Sequence, residues 1–237
     1  LKLPRPRLGP APPCGFADPS AGALACAKCW GAVAPMKRGV FFDFDSTLTT
    51  PIKIARFNRY AVADRPEIFG NMTAEEIVAN FGGLPRLARL RSLLTALREA
   101  SCELFIVSIG FRDPCILPHL RAVGLLDFFP LENIYGQDSR ELRSYECVKG
   151  RLIATLMAAR SWSHEDALFI DDSEKHIRAA ADICEVLHVA GQGLSDSELD
   201  HIQALSCSGG VRDLVLAETG TLASGDREAA GPEDTYN

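Results

Sequence analysis

Short apolar runs alternate with helix-period segments through the middle of this chain, and that alternation restricts the fold more than any other feature. VFFDF (40–44), ELFIVS (103–108), NIYG (133–136), ALFIDDS (167–173) and EVLHVA (185–190) read as strands. Between them, Leu84, Leu87, Leu90, Leu94 and Leu97 recur at helix spacing, with Pro85 suited to the first turn. Further helices are expected from Asp113-Pro114, after Ser144 as a cap, in SEKHIRAAAD and in SDSELDHIQAL. The pattern predicts an α/β fold, a three-layer sandwich with a mainly parallel, Rossmann-like sheet. The strands show no polar alternation, as expected where helices cover both faces. Right-handed crossovers then bring every strand C-terminus to one edge, where folds of this kind bind ligands.

The totals fit one such domain. The chain has 237 residues, 47% of them hydrophobic, which is enough for one sizeable core and a small appendage. A formal net charge of −6 argues against nucleic-acid binding as the main activity. No uninterrupted apolar run reaches the roughly 18 residues of a membrane span. Cys102, Cys115 and Cys184 sit inside apolar stretches, which fits reduced thiols and a cytoplasmic location. Residues 1–35 are rich in proline and carry one acid, Asp18. They read as a flexible leader or a non-native extension, with organelle targeting as the alternative. The core domain is expected over 36–206, and 207–237 reads as a disordered tail.

What the strands deliver to their shared edge is the informative part. The first run carries Asp43 and Asp45, the second ends at Ser108, and the fourth ends at Asp171 and Asp172. Crowded carboxylates repel unless they share a proton or hold a cation. Oxygen ligands of this kind, with water and a substrate phosphate, favour magnesium. Ser108 offers a hydroxyl, and Lys149 on a later helix offers a point charge for phosphate. Taken singly, each has an ordinary explanation. Ser108 could be a turn residue, Lys149 a solvated helix lysine, and Asp171-Asp172-Ser173 a helix cap. A site is the reading that accounts for them together.

These residues resemble the motifs of the haloacid dehalogenase-like superfamily. The first motif stands as Asp43-Phe44-Asp45-Ser46-Thr47 after a hydrophobic strand, the second as Ser108 after LFIV, the third as Lys149, and the fourth as Asp171-Asp172 after LFI. The match covers about 38–190. The resemblance implies that Asp43 is a nucleophile forming an aspartyl-phosphate and that Asp45 is the acid and base. It implies that Mg2+ is held by Asp43, Asp171, Asp172 and the backbone carbonyl of Asp45. It also implies that Thr47, Ser108 and Lys149 bind the phosphate. An aspartate two positions after the nucleophile favours a phosphomonoester hydrolase, with a phosphomutase of the same fold as the alternative. A module that keeps the fold for interaction without turnover is the alternative from another class.

In that family, inserts over the rim choose the substrate. Here the stretch at about 52–83 is long enough for a small helical cap, with Thr73 and Glu76 as a capping box. Arg56, Arg59 and Arg112 are the candidate substrate contacts. The expected partner is a phosphorylated metabolite or macromolecule, with no nucleic acid and no membrane. The sequence does not specify an oligomeric state.

Overall fold

The computed structural model describes residues 36–52 and 71–207. Residues 1–35, Arg56, Arg59 and most of the expected cap insert and tail lie outside the described residues. Five strands form one sheet: β1 (Gly39–Phe42), β2 (Glu103–Val107), β3 (Ile134–Tyr135), β4 (Ala167–Asp171) and β5 (Glu185–His188). Every pairing is parallel, in the order β3-β2-β1-β4-β5. This is the α/β architecture that the alternation predicts.

The strands are apolar on both faces because both faces are covered. Val40 and Phe42 point to one side, with Leu104, Ile106, Leu168 and Ile170 beside them. That side packs on α2 (Leu84–Glu99), on α3 (Leu117–Ala122) and on α7 (Asp196–Cys207), after the short α1 (Ala74–Asn80). Phe41 points to the other side, in register with Phe105 on β2 and Phe169 on β4. The Phe41 and Phe105 rings stack at 4.5 Å, and α5 (Lys149–Ala159) and α6 (Glu174–Ala180) cover them. The short α4 (Arg140–Ser144) contributes Leu142 to the same layer.

Several local expectations hold and others are corrected. Thr73 and Glu76 form the capping box at α1, with Glu76 N–H donating to Thr73 Oγ1 and Thr73 N–H to Glu76 Oε2. Leu87, Leu90, Leu94 and Leu97 are buried, but Leu84, at the start of α2, is 70% exposed and Leu93 completes the buried stripe instead. Ser144 does not cap the lysine helix. It ends α4, the backbone turns at Glu146 and Cys147 with positive φ, and α5 starts only at Lys149. Cys102, Cys115, Cys147 and Cys184 are free thiols. Among the described residues, no helix is long and apolar enough to cross a membrane.

Candidate active site

The register of the sheet sets the geometry of the site. Phe42 pairs with Ile106 and with Ile170, so Asp43 and Asp171 follow one step later at the same edge. The Asp43 N–H extends the ladder by donating to the Ile170 carbonyl at 2.9 Å. The chain then coils tightly through Phe44–Leu48, with Asp45 extended and Ser46 at φ 60°. A left-handed serine is an uncommon backbone state and persists only where its surroundings hold it.

Three elements hold this coil. Phe44 is buried edge-on against Phe81 and His119. The turn after β5 supplies two backbone bonds, Gly193 N–H to the Ser46 carbonyl and Leu194 N–H to the Thr47 carbonyl, both at 2.9 Å. Gly193 has φ +80°, and a side chain there would run into Arg86 and the Thr49 carbonyl. Arg86 on α2 supplies the third. Its guanidinium donates to the carbonyls of Thr47, Leu48, Phe81 and Leu194 at 2.7 to 3.1 Å.

Lys149 closes the site from the other layer. Its ammonium lies 2.6 Å from Asp43 Oδ1 and 2.7 Å from Asp171 Oδ2, and it is 2% exposed. A solvated surface lysine is thereby ruled out. Gly150 follows it and lets α5 approach the Ala179 carbonyl of α6, where a Cβ would come within 2.7 Å. Burial acts to lower the Lys149 pKa, but the Asp43 and Asp171 charges outweigh it and hold the amine protonated. Asp171 is pushed up by burial, which outweighs the pull of Lys149. Burial also raises Asp172, helped by the charges of Asp43 and Asp171. Asp45 is raised to about 6, first by burial and then by Asp43.

These groups line one cavity of about 460 Å³. Ser108, 1% exposed, is at its wall, and its Oγ accepts the Gly110 N–H at 3.1 Å. That bond leaves the hydroxyl proton to be donated elsewhere. Thr47 is the exception among the motif residues. It is fully buried, its Oγ1 has no hydrogen-bond partner among the described residues, and it does not line the cavity. Arg112 is also elsewhere. Its guanidinium is held by the carbonyls of Ile134 and Leu131 and by Asp113, in a separate depression beside β3. Those three acceptors, all local to its own rim, fix it away from the cavity.

Gln137 and His176 also line the cavity, and neither is among the expected site residues. Gln137 follows β3, and its N–H donates to the Gly110 carbonyl. Gln137 lies two residues beyond the end of β3, one step further out than Ser108 is from β2, so the strand-end rule alone does not select it. His176 stands on the first turns of α6, and burial and Lys149 together lower its pKa. Its place on a helix after the acidic pair reads as an exposed position, but the fold leaves it half-buried at the cavity wall.

The donor set fits a divalent cation. Asp43, Asp171 and Asp172 place one carboxylate oxygen each within 4.8 Å of one another. With Asp45 nearby, four carboxylates face the single ammonium of Lys149. A hard cation with oxygen ligands would compensate that surplus of negative charge at a buried edge.

No protein-family model matches the sequence, and no curated protein matches it. Solved structures do. A HAD-superfamily hydrolase from Ehrlichia chaffeensis is 18% identical with a TM-score of 0.45, covering 73% of this chain and 98% of the other. A HAD family hydrolase from Deinococcus radiodurans, solved with bound phosphate and sodium, is 19% identical with a TM-score of 0.42, covering 71% and 89%. A haloacid dehalogenase-like hydrolase from Streptococcus pneumoniae is 17% identical with a TM-score of 0.40, covering 70% and 91%. The chain is similar to haloacid dehalogenase-like hydrolases. Its chemistry is read from the side chains described above.

Proposed function

We propose that this chain is a haloacid dehalogenase-like phosphomonoesterase, acting on a phosphorylated metabolite or macromolecule in the cytoplasm through an aspartyl-phosphate on Asp43. The observation that carries this reading is the buried Lys149 ammonium bridging Asp43 and Asp171, with Asp45 at the same cavity. A carboxylate held beside a fixed cation at a strand end is a positioned nucleophile.

In the first step a carboxylate oxygen of Asp43 bonds to phosphorus as the bond from phosphorus to the leaving oxygen breaks. Asp45 gives its proton to that oxygen, and a carboxyl raised to about 6 remains partly protonated near neutrality. In the second step the oxygen of water attacks phosphorus and its proton goes to Asp45. The bond between Asp43 and phosphorus breaks, and inorganic phosphate leaves. Lys149 and Ser108 compensate the charge of the transferring group. Asp43, Asp171, Asp172 and the Asp45 carbonyl would hold magnesium, which would supply further neutralisation of negative charge on the phosphate.

The test is hydrolysis of 4-nitrophenyl phosphate with and without magnesium, by the wild type and by Asp43→Asn. Magnesium-dependent phosphate release that Asp43→Asn abolishes is the expected result, with a hydroxylamine-sensitive phosphoprotein on acid quench. Activity that survives unchanged in Asp43→Asn overturns the mechanism.

A further inference from the structure

The two walls of the cavity differ in charge. One carries Asp172, Ser173 and His176. The other, beside the acid, carries Ile109, Gly110, Phe111 and Gln137, none of them charged, together with the Cys115 thiol, which burial holds neutral. Gly110 sets this second wall against Asp45: a Cβ there would lie 2.9 Å from Asp45 Oδ2 and 3.4 Å from Ser108 Oγ. The wall is braced at both ends. Ser108 Oγ accepts the Gly110 N–H, and the Gly110 carbonyl accepts the Gln137 N–H. Ile109, Phe111 and Gln137 are each half-buried, so they present surface to an occupant. The Gln137 side-chain amide has no partner among the described residues.

We infer that Ile109, Phe111 and Gln137 form the subsite for the leaving group, and that it takes phosphate monoesters of neutral alcohols with an apolar face. The inference rests on the phosphomonoesterase reading and deepens it. The ester oxygen has to reach Asp45 to be protonated, and Asp45 lies against Gly110, so the rest of the alcohol extends over this wall. An anionic leaving group would lose hydration there without gaining a counter-charge from the wall. A ring or alkyl group would cover Phe111 and Ile109, and a neutral polar atom would pair with the Gln137 amide.

The experiment compares three alkyl esters of similar intrinsic reactivity: benzyl phosphate, glycerol 2-phosphate and 2-phosphoglycolate. The wild type is expected to have its highest kcat/KM on benzyl phosphate and its lowest on 2-phosphoglycolate, about tenfold or more apart. Phe111→Ala is expected to lower kcat/KM for benzyl phosphate about tenfold relative to that for 2-phosphoglycolate. Gln137→Lys should shift the ratio about tenfold toward 2-phosphoglycolate, a gain that mere loss of packing does not give. If all three esters are hydrolysed but 2-phosphoglycolate leads, or if neither variant moves the ratios, the subsite is wrong and the phosphatase reading stands. If none is hydrolysed, nor 4-nitrophenyl phosphate, the phosphatase reading fails and takes the subsite with it.

Discussion

Lys149 Nζ lies 2.6 Å from Asp43 Oδ1, across 106 residues of chain, and both side chains are nearly excluded from solvent. Such a pair is costly to break from one side, because the partner left behind is a buried, uncompensated charge. Here two partners would be left, Asp43 and Asp171.

Lys149→Met should therefore lower stability by about 3–5 kcal/mol near neutral pH. The loss should shrink in acid, where Asp171, its pKa raised by burial, takes up a proton, and shrink again when magnesium is added. Urea denaturation at pH 5 and pH 8, with and without magnesium, reads all three. A variant as stable as the wild type at pH 8 contradicts the buried ion triad.

Asp45→Asn should separate leaving groups by their need for a proton. Alkyl esters should lose about 10²–10⁴ in kcat, the usual contribution of a positioned acid. 4-Nitrophenyl phosphate, whose leaving group departs without one, should lose much less in the first step. Single-turnover rates for the two substrates provide the comparison, and equal losses would remove Asp45 from the acid role.

Arg86 holds the Phe44–Leu48 coil through backbone carbonyls, bonding Thr47 and Leu48 within it and Phe81 and Leu194 beside it. Arg86→Ala should cost about 2–3 kcal/mol, since it removes charge-assisted bonds to buried acceptors. Arg86→Lys should recover little, because an ammonium cannot span acceptors spread over three segments. Thermal melts of both variants, with activity measured below the transition, check this. Full rescue by lysine would show that only charge matters.

His119 predicts an acid-side loss of stability. It is fully buried, with Nδ1 2.8 Å from the Cys115 carbonyl and Nε2 3.2 Å from Asn80 Nδ2. The Asn80 amide donates, so Nε2 accepts and the ring is neutral. Burial lowers its pKa from the ordinary 6.5, although the Cys115 carbonyl opposes this. Below 6.5 the unfolded chain binds a proton that the folded ring refuses, so stability falls as pH drops through that value. His119→Gln keeps a donor and an acceptor and should flatten this part of the pH–stability curve. Denaturation midpoints from pH 5 to 7.5, wild type against variant, measure the difference. Parallel curves would mean that His119 does not contribute.

The periodicities were enough for the sheet and most of its helices, because burial on both faces leaves a local trace in each strand. VFF, LFIV and LFI carry no polar alternation, and the leucines of α2 repeat at helix spacing. The strand-end rule likewise found Asp43, Ser108 and Asp171 without knowing the register. It stopped short at Gln137, which lies two residues beyond the end of β3.

Sequence alone therefore determined which residues reach the functional edge, since a parallel sheet sends every strand end there. Only the tertiary structure decided what they meet. Lys149 could have been a surface lysine until α5 packed its first turn between Asp43 and Asp171. Arg112 and Thr47 reach the right region of the chain, yet the carbonyls of Ile134 and Leu131 claim one and the folded coil buries the other. Local pattern reports burial and direction along one segment. The partner of a charge depends on segments a hundred residues away, and that contact forms only when the layers close.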